Sequence, residues 1–336
     1  MSVNLAQLSD YLLITAVVIY SLAMVAYAGD FAYGRYGNAA DAKAQVPQKT
    51  PELAGVGAHG GAGSAEVVSE AAGTGSAAPD DRLSPLLRGA VGLTLLGVAV
   101  HLAGVITRGM AAHRAPWGDM YEFVTALSCV TVVFFVALMF RYRVWRLGVF
   151  VTGAVVVVLG LAETVIYTPV GPLVPALNSY WLGIHVAAMT IATGIFFVAA
   201  VMGAVYIFAE RWARQVAAGR ARADHGIMRR LPGPEALDRL AYRTVVFGFP
   251  VWTFGLIAGA IWADQAWGRY WGWDPVETWA FITWVVYACF LHARATAGWR
   301  GKRAAYIQIV GFGCLIFNVL VVQTYVTGLH SYAGLG

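Results

Sequence analysis

Five of the chain's twelve tryptophans fall within eighteen residues: Trp262, Trp267, Trp271, Trp273 and Trp279. They are interleaved with Gly268, Gly272, Asp264, Arg269 and Asp274, so flat apolar rings alternate with a few polar handles. Trp and Tyr favour a membrane interface, and an anchoring belt accounts for one or two such rings at each helix end. A platform on which a planar aromatic ligand such as a porphyrin could stack accounts better for the density, and the two readings compete.

Neutral imidazole is a common axial ligand of haem iron, which makes the seven histidines the next residues to place. His185 lies four residues after Trp181, one helical turn inside an apolar run, and His330 follows the last such run in Gly328-Leu329-His330-Ser331-Tyr332. If the runs alternate across a membrane, both stand at the face that carries the Trp-rich segment. They could then form a bis-histidine site or be two separately satisfied residues. His292, two residues before Arg294, belongs near the opposite face and would need a second ligand from another chain. His101 lies thirteen residues beyond Arg88, roughly 20 Å along a helix, and does not match His292 in depth. His113 reads as solvated or substrate-facing in a loop, and His59 and His225 as surface residues. Asp274-Pro275-Val276-Glu277 reads as the N-cap and first turn of a helix, a capping box compatible with ligand contact by Asp274.

The elements that must position these residues are apolar helices. Hydrophobic residues are 59% of 336 positions and charged residues 12%, too little polar surface for a water-soluble domain of this length. A span needs about 20 apolar residues, and eight runs qualify: about 9–28, 89–107, 120–140, 147–166, 181–208, 244–263, 277–293 and 305–326. The expected class is therefore all-α, a polytopic membrane protein of about eight transmembrane helices. The first run lacks a basic start and reads as a retained helix, not a cleaved leader. Cys129, Cys289 and Cys314 each lie in apolar runs without a Cys-x-x-Cys pair, which argues against a disulfide framework, a zinc site or a thiol oxidoreductase.

With eight spans, both termini share a side. Placing them outside leaves 20 of the 23 Lys+Arg in inner segments and only Arg108, Arg114 and Arg269 in outer ones. The positive-inside rule then orients the chain with the termini and the Trp-rich segment on the outer face. It also explains the basic balance without nucleic acid. Residues 29–85, rich in Gly, Ala and Ser, read as a disordered cytoplasmic linker between the first helix (1–28) and a seven-helix membrane domain (86–336). The stretch 211–243 reads as a basic, partly helical inner loop.

The run Trp267-Gly268-Arg269-Tyr270-Trp271-Gly272-Trp273-Asp274-Pro275-Val276-Glu277-Thr278-Trp279 resembles the WWD motif of the haem-handling superfamily. Together with Val174 to Trp181 leading to His185, Leu291-His292-Ala293-Arg294 and Leu329-His330-Ser331-Tyr332, it resembles the CcsA/ResC branch (CcsB-like in actinobacteria) of system II cytochrome c biogenesis. The resemblance covers roughly 86–336. It implies haem b (iron protoporphyrin IX) as cargo, His185 and His330 as its external ligands, and Trp262, Trp267, Tyr270, Trp271, Trp273 and Trp279 around the macrocycle. Trp271, Trp273 and Asp274 would join the two histidines in the reaction, and His292 would be an inner ligand completed by a Ccs1/ResB-like membrane partner. A loop from Gly109 to Phe123 is similar to a family loop without an assigned ligand, and Val276 stands where the family usually has Lys. The implied activity is that of a cytochrome c synthetase (holocytochrome c synthase, or haem lyase) subunit in a bacterial plasma membrane. It would join haem to the Cys-x-x-Cys-His motif of apocytochrome c, with thiols kept reduced by a thioredoxin-like protein. A haem transporter or chaperone without attachment activity, and a b-type electron-transfer protein, remain as alternatives.

Overall fold

The computed structural model describes residues 4–33, 83–171, 177, 179–221 and 227–330. Most of the linker with His59, the stretch with His225, Val174 to Ala176, Asn178, and Ser331-Tyr332 lie outside the described residues. Within them the chain is helical: α1 (Leu5–Tyr33), α2 (Pro85–Ala112), α3 (Met120–Tyr142), α4 (Gly148–Val165, entered through a 3-10 turn at Trp145–Leu147), α5 (Tyr180–Ala217), α6 (Pro234–Trp267), α7 (Pro275–Thr296) and α8 (Lys302–Phe317). A π turn at Asn318–Val322 and a last turn at Gln323–Tyr325 extend α8.

All eight are long and apolar enough to cross a bilayer, so this is a multi-pass membrane protein as the composition requires. Several outrun the apolar runs that announced them. The 34 residues of α6 begin well before the apolar stretch, because a helix continues into the interface through residues such as Glu235, Asp238 and Arg239 once its backbone bonds are satisfied internally.

α1 packs along α2 and α4, while α5 lies centrally against α3, α6 and α8, with α7 joining α6 and α8. One core gathers Tyr27, Leu87, Phe135, Val151, Met202 and Leu237 from the first six helices. A second joins α5 to α8 through Phe196, Trp252, Tyr287, Phe290 and Leu315. Phe196 stacks on Tyr287 with ring centroids 3.9 Å apart, a contact that tolerates no wedge between α5 and α7. Polar groups within the bundle are paired near helix ends: Asp30 with Arg146 (2.8 Å), Glu122 with Arg108 (3.2 Å) and Arg114 (2.5 Å), and Asp238 with Arg294 (2.7 Å). Removing one partner of such a pair strands a charge where solvation is poor.

Candidate functional site

The Trp-rich segment spans the end of α6, the turn to α7 and the start of α7. Gly268 closes α6 with φ 70°, a left-handed cap that suits glycine, and its N–H bonds the Asp264 carbonyl. Against this segment lies a largely apolar cavity, enclosing about 1190 Å³ when the open space at its mouth is counted. Trp262, Trp267, Tyr270 and Trp271 form one wall, and His185 and His330 both face in. The opposite wall comes from the α2–α3 loop, through Trp117, Gly118 and Asp119.

The two histidines converge on one indole. His185 stacks on Trp262 with centroids 6.0 Å apart and 15° between planes, and His330 meets the same ring edge-on at 5.8 Å. Trp267 touches both Trp262 (4.8 Å) and His330 (5.2 Å). Each imidazole is oriented through Nδ1. In His185 it lies 2.8 Å from the Gly255 carbonyl oxygen. A carbonyl only accepts, so Nδ1 carries the proton and the acceptor lone pair sits on Nε2. His330 Nδ1 lies 3.3 and 3.4 Å from the two oxygens of Asp274, which as a carboxylate also only accepts. Both rings thus have the tautomer of a metal-ligating histidine, one supported by a carbonyl and the other by a carboxylate.

Asp274 does two jobs. It caps α7 in a full capping box with Glu277, whose Oε2 accepts from the Asp274 N–H (3.1 Å) and from Gly272 N–H (2.9 Å). It also accepts the Leu329 N–H (3.1 Å), tying the C-terminal loop to the start of α7. Burial pushes its carboxyl up, but His330 and the N–H groups of Leu329 and Val276 outweigh that and hold it below the usual carboxylate range. Room for this arrangement depends on two glycines. A Cβ on Gly259 would stand 2.6 Å from His185 Nδ1, and one on Gly328 would stand 2.7 Å from Asp274 Oδ1.

Other residues singled out in the sequence lie elsewhere. Trp273 is exposed, edge-on to Trp271 at 5.7 Å, with φ 57°, a left-handed conformation that costs a non-glycine residue. Trp279 packs on Phe317 (4.4 Å) outside the cavity lining. His292 is exposed on α7 toward the opposite end of the bundle, so the chain does not bring it to His185 and His330. His101 is buried, with its ring nitrogens 3.1 Å from the Thr125 carbonyl and 3.5 Å from the Tyr20 hydroxyl. His113 is the left-handed C-cap of α2.

Sequence reasoning missed the second wall. Trp117 and Asp119 reach the cavity because Glu122 gathers the loop, accepting Gly118 N–H at 2.8 Å while paired with both Arg108 and Arg114. Asp119 caps α3 by accepting the Glu122 N–H (2.8 Å), and burial raises its carboxyl above the usual range. The Asp-x-x-Glu spacing carried that cap signal. Trp252 and Asn318 also line the cavity, and nothing local to their sequence marks them.

Residues 117–330 match the family model described as cytochrome C assembly protein, an interval that opens on Trp117 and closes on His330. The chain belongs to that family. Among cytochrome c assembly relatives, a cytochrome c biogenesis protein CcsA of Guillardia theta is 33% identical over 241 residues, covering 68% of this chain and 80% of that relative. The CcsA proteins of Synechococcus sp. (strain JA-3-3Ab) and Gloeobacter violaceus are 35% and 32% identical, covering 71% and 76% of this chain and 83% and 89% of theirs. The solved structure of a cytochrome c heme lyase, CcmF, shares the fold, with a TM-score of 0.60 at 15% identity. All of this chain is matched there, and it spans about half of that protein, 49%.

Proposed function

We propose that the cavity takes haem b as cargo and presents it to apocytochrome c for thioether attachment. The observation that carries this reading is the pair of imidazoles, each fixed through Nδ1, at one aromatic-lined cavity. The lining chemistry fits: Nε2 atoms to meet iron, and Trp262, Trp267, Tyr270 and Trp271 to meet a flat macrocycle. Haem supplies the two vinyl groups. Each substrate thiol adds across one vinyl, sulfur bonding to one carbon and hydrogen to the other, so the addition needs no external oxidant.

The protein's share is placement. His185 and His330 hold the axial positions, Asp274 keeps the His330 proton on Nδ1, and the cavity keeps bulk water from the iron. The histidine of the substrate's Cys-x-x-Cys-His motif would replace one of the two ligands and carry the product away. Orientation follows the basic residues: the Trp-rich end on the outer face of a bacterial plasma membrane, His292 toward the inner side, where a Ccs1/ResB-like partner supplies the second ligand. A thioredoxin-like reductant outside keeps the substrate thiols reduced. A b-type electron-transfer role draws no support from His101, since both of its ring nitrogens have protein neighbours.

The test is to purify the chain with its partner and record haem spectra of His185→Ala and His330→Ala. Changed axial ligation in either variant supports the site, and unchanged ligation in both sinks it. Coexpression with a reporter apocytochrome then separates attachment from transport: haem delivered without covalent product would leave a transporter or chaperone.

A further inference from the structure

We propose that the end of the bundle opposite the Trp-rich cavity binds an acidic phospholipid by its phosphodiester headgroup. A second cavity, enclosing about 1680 Å³ with its mouth, lies there between the start of α2, the α3–α4 turn and the start of α6. Five arginines line it: Arg143, Arg146, Arg230, Arg239 and Arg243. Orientation by the positive-inside rule needs basic residues on one side of the membrane, but it does not need them to converge on one hollow.

Two of the five are locked in place. Asp30, fully buried at the end of α1, accepts from Arg146 Nε at 2.8 Å and from Ser84 Oγ at 2.5 Å, and its backbone carbonyl accepts from Arg230. Arg239 and Arg243 differ. They stand one turn apart on α6, are exposed, and have no carboxylate partner among the described residues. The acid just before them, Asp238, is committed to Arg294 at 2.7 and 3.0 Å, which leaves exposed Glu235 as the other carboxylate of the first turns of α6. α6 itself begins at Gly233-Pro234 without a side-chain cap, so the positive end of its dipole also lies at the cavity.

The lining says which anion. Trp145 and Tyr142 are among its lining residues, and such rings favour headgroup depth. Buried Leu87 and Leu237 make an apolar floor. A free phosphate ion would use the guanidinium forks alone, whereas a phospholipid uses the forks for its phosphodiester and the floor for its glycerol and upper acyl carbons. Basic pockets between helix ends on the cytoplasmic side are suited to acidic headgroups. The proposal stands independently of haem binding at the other end.

The full chain is placed in nanodiscs of phosphatidylcholine with a minor share of phosphatidylglycerol, and the lipids it retains on release are counted by native mass spectrometry. Wild type is expected to retain phosphatidylglycerol in preference to phosphatidylcholine. That preference should fall about fivefold in Arg239→Gln and further in Arg239→Gln/Arg243→Gln. Equal retention of both lipids by wild type overturns the proposal whether or not the variants fold. An unchanged preference in the double variant overturns it too. Displacement of the phosphatidylglycerol by millimolar inorganic phosphate would assign the cavity to a soluble anion, and displacement by haem would assign it to porphyrin carboxylates; either result also overturns the lipid assignment.

Discussion

His185 and His330 face one cavity from different kinds of mounting. His185 rises from the middle helix of the bundle, and its Nδ1 is tied to a backbone carbonyl of α6, Gly255. Nothing in that support titrates. His330 stands on a loop beyond α8, tied to a carboxylate that is itself the cap of α7. A carboxylate partner raises the basicity of an imidazole ligand, so His330 gains donor strength from Asp274 while its position depends on a loop. On the proposed reading, the pairing would give one ligand fixed by the fold and one that a local movement can release, which suits a site that must hold its cargo and then surrender it.

The largest expected effect breaks this contrast directly. His185→Ala should lower retained haem more than tenfold, whereas His330→Ala should keep most haem with an open axial position. Added imidazole should restore the bis-histidine spectrum of His330→Ala and do less for His185→Ala. Identical behaviour of the two variants in optical titration would erase the distinction. Asp274→Asn comes next: it acts through His330, so it should cost no more haem affinity than His330→Ala, a few-fold loss, and weaken rather than abolish the His330 contribution to the spectrum. The thermal midpoint should change little through the helix cap, since asparagine caps a helix about as well as aspartate; what is lost is the charge that holds His330. The sign with pH follows from the depressed Asp274 carboxyl. A group held below its unfolded value, about 3.9, contributes fully above that pH and fades as pH falls through its lower folded value. The Asp274 contribution to stability should therefore persist at pH 5 in wild type, and the Asn variant should lack this acid limb in a melting series.

What was legible in the sequence follows from how local each signal is. The eight helices were legible because a bilayer demands about 20 apolar residues in a row, a constraint written in single runs. Their full lengths were not, since hydropathy falls off at the interface before the helix does, as at the Pro234 end of α6. Asp274 as a cap was legible from the Pro at N1 and the Glu at N3, but its grip on His330 was not, because that contact joins residues 56 apart. A dense run of tryptophans announced a site without telling which rings face it: Trp271 lines the cavity while Trp273, two residues on, turns outward at φ 57°. Trp117 stayed unassigned because its place depends on Glu122 folding the loop back onto Arg108 at the end of α2 and Arg114 in the loop itself, a side-chain arrangement that no residue spacing announces.

Smaller effects sharpen the contrast by touching the rigid mounting alone. Gly259→Ala would put a methyl 2.6 Å from His185 Nδ1, closer than carbon and nitrogen can sit, so the ring must shift or the helices part. A few-fold loss of haem retention is expected, with the His330 side of the spectrum intact. If the variant instead behaves like Asp274→Asn, the two mountings are coupled and His185 is not the independent ligand its packing implies.

The smallest predicted effect asks which tryptophans count. Trp267→Phe removes a ring that touches both Trp262 and His330, whereas Trp279→Phe changes one packed on Phe317 away from the cavity. Both swaps keep an aromatic ring and lose comparable area, so stability should fall by similar amounts, about 1 kcal/mol. Haem retention should separate them: a measurable drop for Trp267→Phe and none beyond error for Trp279→Phe at matched protein stability. Equal drops would mean that the segment acts as one stacked slab, in which no single ring is closer to the cargo than its neighbours. The cavity geometry argues against that, because the ring contacts that reach the histidines run through Trp262 and Trp267, not through Trp279.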